Sequence, residues 1–170
     1  EPAVFAVDWA GESVSMNWMH LAREYTEQWH HQQQIREAVG KTDALMSRDL
    51  FFPCIDAFMR ALPHAYRNAV APEGALVEVC VTGEAGGIWR VQRRNHAWRL
   101  VENNAGEETF LPDAEVSLPP ETAWKLFTRG ISPSEARKRA ITRGNAQLAQ
   151  PLFAMLSVMA EPRETASRFS

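Results

Sequence analysis

The sequence predicts an α+β fold: a partial helical bundle of two helices, followed by a mainly antiparallel sheet of about five strands covered by further helices. Three observations carry this expectation. Up to about residue 70, apolar side chains recur at three- and four-residue spacing, as in Phe51, Ile55, Phe58, Leu62 and Tyr66. From Leu76 the period changes to two, with Val77, Val79 and Val81 alternating with Glu78, Cys80 and Thr82. After Pro119-Pro120 helical spacing returns, and Ser132-Pro133-Ser134-Glu135 is a strong helix start with proline at the first position and Glu135 closing a capping box. At 170 residues, with 45% hydrophobic and 23% charged, the chain has enough apolar material for a sizeable core.

Residues 1–14 read as an irregular lead anchored by Trp9 and broken by Gly11. The first helix runs from Asn17, as its cap, to about Val39, where Gly40 stops it. A polar connector, Lys41-Thr42-Asp43, leads to a second helix capped by Ser47 or Asp49. Pro53 is tolerated early in that helix, whereas Pro63 removes a backbone donor and interrupts it near Leu62. Strands follow at 76–82, 88–93, 98–101 and 114–118, with turns at Gly83–Gly87 and Asn95-His96 and a polar loop over 103–108. A helix over 121–129 ends at Gly130, a short helix starts at Ser132, and Ile141–Arg143 forms a brief strand. The last helix runs from Asn145 to about Met159, with Leu148, Leu152, Leu156 and Met159 inward. These elements divide into residues 1–72, 73–160 and a polar tail at 161–170.

A formal net charge of −3 gives no global attraction to nucleic acid or to an anionic membrane surface. No apolar run approaches the ~20 residues that span a bilayer. Neither nucleic acid nor membrane is therefore expected as a partner. The two cysteines, Cys54 and Cys80, lie in apolar contexts and make no disulfide framework, which points to buried thiols in a cytoplasmic protein. The chain opens on Glu1 with no signal-peptide pattern, and reads as a fragment or processed product.

Chemistry concentrates on the first helix. At about 100° per residue, His20, Glu24, Glu27 and His31 share one strip, while Trp18, Leu21, Ala22, Tyr25 and Trp29 lie opposite. Glu27 and His31, one turn apart, supply half of a metal site, although a solvated helix face has the same spacing. Ile35, Ala38 and Val39 bring apolar groups back towards the strip, so the His31 end is expected to pack against a partner. Arg143, before Gly144 where a strand end meets a helix start, is a candidate for holding an anionic group, with a solvated surface as its alternative. Gly83–Gly87 leads into a strand and reads as a hairpin turn, not a phosphate cradle. Trp89, Trp98 and Trp124 either line an apolar cavity or fill the core. His64 and His96 have no companion carboxylate at ligand spacing.

The run Ala22-Arg23-Glu24-Tyr25-Thr26-Glu27-Gln28-Trp29-His30-His31-Gln32-Gln33-Gln34-Ile35-Arg36 resembles the last helix of DinB-like four-helix bundles. It resembles especially the helical domain of the mycothiol-dependent maleylpyruvate isomerase family, whose Glu-x-x-x-His motif matches Glu27 and His31. The family's third metal ligand, a histidine from an earlier helix, has no counterpart here. The runs Val81–Trp89, Asp113–Leu118 and Arg143–Ala149 resemble, in order, the companion domain of that family, which is similar to sterol carrier protein type 2. The resemblance implies a sterol-carrier-like domain after residue 73 and a DinB-like helical portion before it. It also implies a divalent metal, zinc first among candidates, held by Glu27 and His31, with mycothiol or a similar thiol as cofactor.

The leading functional expectation is thus a metal- and thiol-dependent isomerase or transferase acting on a small molecule, with Arg143 as the catalytic arginine for a substrate carboxylate. The alternative is a non-enzymatic module that binds a small apolar, lipid- or sterol-like ligand. A regulatory or scaffold protein that keeps the fold without the chemistry is a third. Helix faces left open by a missing part of the bundle would be covered by self-association, so a homodimer is expected.

Overall fold

A computed structural model describes residues 17–101 and 111–156. The expected lead at 1–14, the loop at 103–108 and the tail from 161 lie outside the described residues. The last helix, expected to reach about Met159, ends instead at Phe153, where the chain tightens and the Ala154 and Met155 N–H groups donate to Pro151 O and Leu152 O, each at 3.1 Å.

Helix α1 spans Asn17–Ala38. Gly40, at φ +67°, closes it: its N–H donates to Glu37 O at 3.1 Å, and the Lys41 N–H donates to Arg36 O at 2.8 Å. These two bonds satisfy carbonyls that the helix end leaves open. A 3₁₀ turn, Asp43–Met46, leads to α2, Arg48–Met59, which starts after Ser47. Pro63 has the effect expected of it. The helix stops before it, and a separate short helix α3, Leu62–Tyr66, begins with the proline in its first turn, where no donor is missed.

Strands β1 (Leu76–Val81), β2 (Gly87–Arg94), β3 (Ala97–Val101), β4 (Ala114–Leu118) and β5 (Ile141–Gly144) form one sheet in the order β3-β2-β1-β4-β5. Three pairs are antiparallel, and β1 with β4 is parallel. The β2–β3 hairpin turns at Asn95 and His96, both at positive φ, and the Glu73 carboxylate accepts their two N–H groups. Helices α4 (Pro120–Phe127), α5 (Pro133–Arg139) and α6 (Ala146–Phe153) complete the chain. The capping box at Ser132 and Glu135 is present, and the Asn145 side chain caps α6 by accepting from Gln147 N and Leu148 N. Burial pushes the Cys54 thiol well up and raises that of Cys80, and both cysteines are free.

Alternation in the strands puts one face inward. Val77, Val79 and Val81 of β1 are paired with Val91, Trp89 and Gly87 of β2, and with Ala114, Val116 and Leu118 of β4. On the other face Glu78 and Arg90 form an ion pair at 2.7 Å. The core under the inward face is continuous across residue 72: Phe51, Ile55, Phe58, Leu62 and Tyr66 are fully buried in one cluster with the β1 and β4 residues, Phe127 and Leu152. The Tyr66 hydroxyl donates to Leu148 O at 2.8 Å, tying α3 to α6. No helix among the described residues is long and apolar enough to cross a membrane.

Two expectations about α1 are corrected. Its buried face is Met19, Thr26, Trp29, His30 and Gln33, while Trp18 and Leu21, placed on the packed side by the spacing, are exposed, Leu21 by 73%. Ile35, Ala38 and Val39 cover nothing: Ile35 is 67% exposed. The reason is the position of Trp29, which turns one side of α1 onto Phe51 and Trp124, with ring centroids 5.6 and 5.8 Å away.

Candidate functional site

The stripe Arg48, Phe52, Asp56 and Arg60, four residues apart on α2 and its C-cap, borders the helix's buried face and overlooks the open β3 edge of the sheet. Between them lies a cleft of about 420 Å³ whose apolar lining is Phe52, Ile88, Trp89, Leu100 and Val101. Gly87 is part of its lining. A Cβ there would stand 2.9 Å from the Phe52 ring and 3.0 Å from Trp89, so glycine permits the two rings to stack at 5.8 Å. A second cleft of about 410 Å³ adjoins the first through Arg60 and Leu100 and is walled by Trp18, Met19, Pro63 and Trp98.

Polar groups at the rim are held in place. The Arg48 guanidinium donates to Glu84 O at 2.8 Å and Gly86 O at 3.2 Å while lying 4.6 Å over the Phe52 ring, which pins the β1–β2 turn to α2. Asp56 accepts from Trp89 Nε1 at 2.8 Å and from Arg60 at 3.3 Å, and Arg60 lies 5.5 Å over Trp18. The rim therefore carries two cations against one carboxylate. An elongated apolar body with an acceptor or acidic end suits this arrangement. Of the tryptophans singled out by sequence, Trp89 and Trp98 line these clefts with buried rings, and Trp124 belongs to the core under α1. The stripe Arg48/Phe52/Asp56/Arg60 escaped sequence reading; its signal was the four-residue recurrence of charged and aromatic groups, which a solvated helix flank also shows.

Glu27 and His31 lie together on α1, with Oε2 and Nε2 3.6 Å apart. His30, which sequence reading passed over, joins them: one ligand atom from each of the three lies within 4.8 Å of the others. His30 is only 7% exposed, and neither ring nitrogen has a hydrogen-bond partner among the described residues. Burial, and then the neighbouring His31, lower its proton affinity, which favours the neutral imidazole that a metal requires. Ligands about 2.1 Å from a tetrahedral ion stand ~3.4 Å apart, so the Glu27–His31 edge, at 3.6 Å, suits such an ion. In donor type and orphaned nitrogens the set fits a divalent cation.

Arg143 is elsewhere. It lies on the edge strand β5, its side chain 75% exposed, and its partner is Glu115 at 3.8 Å. It lines neither cleft on the β3 side.

No protein-family model matches the chain, and no curated protein matches it. Among solved structures the chain is similar to sterol carrier protein 2 domains. One is described as "UbiJ-SCP2 Ubiquinone synthesis protein" (TM-score 0.37, 21% identity, 56% of this chain and 76% of that one). Another is sterol carrier protein 2 like 2 from Aedes aegypti (TM-score 0.41, 15% identity, 60% and 95%). A third is the sterol carrier protein domain 2 of Helicoverpa armigera (TM-score 0.36, 19% identity, 63% and 80%). Likenesses this loose assign no role to any residue.

Proposed function

We propose that the chain is a binding module for a small, mostly apolar ligand with an acidic or hydrogen-bond-accepting end. The observation that carries this reading is the cleft between α2 and the β2–β3 edge, where Phe52, Ile88, Trp89 and Leu100 converge under Arg48 and Arg60. Its volume is in the range that small-molecule sites occupy. The apolar body would lie along the stacked Phe52 and Trp89 rings, and the head would meet the Arg60 side. Titration with a fluorescent fatty acid tests it. Saturable one-to-one binding that Ile88→Asp weakens at least tenfold is expected; binding that ignores Ile88→Asp, or none, rejects it.

A second reading is favoured by the Glu27, His30 and His31 cluster: a metal- and thiol-dependent isomerase or transferase, with α1 contributing the DinB-like helix. A divalent cation there would stabilise a thiolate at neutral pH. Glu27 and His31 would hold it, and His30, without a partner of its own, would be the third ligand. Metal analysis of the protein and of its Glu27→Ala, His30→Ala and His31→Ala variants decides. One equivalent of zinc, lost in all three variants, supports this reading, and undiminished zinc in them removes it.

A cytoplasmic location and a dimer belong to this proposal as well. Two free thiols support the first. Exposed Leu21, Ile35 and Val39 on the outer side of α1 support the second, and sedimentation as a monomer would contradict it.

A further inference from the structure

A third cavity, of about 180 Å³, lies between the end of α1, the 3₁₀ turn and α4; it shares no lining residue with the α2 cleft, and its wall Trp124 stands 6.0 Å, centroid to centroid, from the His30 ring. Gln33, Glu37, Thr42, Asp43, Met46, Glu121 and Trp124 line it; Gln33 is only 1% exposed, and Trp124, at 2%, contributes a buried Nε1 that finds no acceptor among the described residues. The Gln33 amide nitrogen donates to Thr42 O at 3.1 Å, which fixes the amide, and among the described residues no donor reaches its buried carbonyl oxygen Oε1. A buried acceptor without a partner costs free energy that a ligand's N–H would recover. Three carboxylates are in the lining, and the Lys125 ammonium bridges two of them, Glu37 and Glu121, the latter at 2.7 Å. Among these four groups two negative charges are in excess.

A metal ion does not suit this charge. Among the described residues, the group whose ligand atoms come close enough to share one ion is Glu27, His30 and His31, and the carboxylates of this cavity are more widely spread. Spread negative charge, a deep neutral acceptor and an aromatic wall suit instead an extended organic cation. At water's share of ~30 Å³ per molecule, the volume holds about six non-hydrogen atoms. We propose that this cavity binds a short aliphatic diammonium ion. One ammonium donates to Gln33 Oε1 and pairs with Asp43, the methylenes lie on Met46 and Trp124, and the second ammonium meets the Glu121 side of the mouth. The assignment is independent of the ligand proposed for the α2 cleft.

Calorimetric titration of the whole chain with 1,4-diaminobutane tests the assignment. One-to-one binding is expected, tighter than that of 1-aminobutane by at least tenfold at low salt and weakening as salt is raised. Asp43→Asn, at an exposed position that leaves the core intact, weakens it about tenfold. Gln33→Met, with circular dichroism to verify folding, abolishes it. No saturable heat at millimolar diamine overturns the proposal, as does binding that both variants retain, or equal affinity for the monoamine.

Discussion

Trp29 is the anchor that seats α1 on the rest of the molecule, and its removal has a calculable effect. The ring is 3% exposed, packs on Phe51 and, edge-on, on Trp124, and donates through Nε1 to Leu45 O at 3.1 Å. Truncation to alanine opens a cavity of indole size, which costs about 3–5 kcal/mol in a rigid core. Trp29→Phe keeps part of the ring contact and loses the hydrogen bond, and should cost roughly 1–2 kcal/mol. Urea unfolding followed by circular dichroism measures both. For a domain of this size the alanine variant should melt on the order of 10 °C lower. Hydrogen exchange should show α1 and the β1–β4 core losing protection together, because Trp29 shares its cluster with Val79 and Leu118. A loss under about 1 kcal/mol, with exchange accelerated in α1 alone, would refute the claim that the helix is part of the common core.

Two further outcomes follow from the same geometry. His30 has a lowered proton affinity in the fold, through burial first and His31 second, and His64 is lowered by burial and by Arg67. The unfolded chain therefore binds these protons more readily, so stability is complete above the ordinary histidine value of 6.5 and falls as pH drops below it. Denaturant midpoints from pH 8 to 5 should show this decline, and His30→Leu should flatten it and raise stability at low pH. A steeper decline in the variant would contradict the assignment. Gly144, at φ +74°, would place a Cβ 2.3 Å from Asp113 O, so Gly144→Ala should cost more than about 2 kcal/mol in thermal unfolding. An unchanged melting temperature would show that the β4–β5 pairing is looser than described.

Much of the architecture was legible because local chemistry decided it. Pro63 could not continue a helix, the valines of β1 could face only one way, and Ser132 with Glu135 could start a helix only where one starts. The parallel pairing of β1 with β4 was not legible, since it depends on a crossover that no single residue marks. For α1 the spacing found the Glu27–His31 pair but assigned the wrong buried side. Which face is buried depends on Trp124, about a hundred residues downstream, whose ring lies 6.0 Å from that of the buried His30. The α2 cleft was hidden for the same reason: Phe52 and Asp56 acquire meaning only when Trp89 from a distant strand stacks on one and bonds to the other.

The central claim is that an apolar ligand lies between α2 and the β3 edge. Backbone amide shifts recorded while a fatty acid is added locate the ligand directly. The account predicts saturable shifts at Phe52, Asp56, Ile88, Trp89, Leu100 and Val101, lost in Ile88→Asp. Shifts confined to other surfaces, or scattered without saturation, would contradict it.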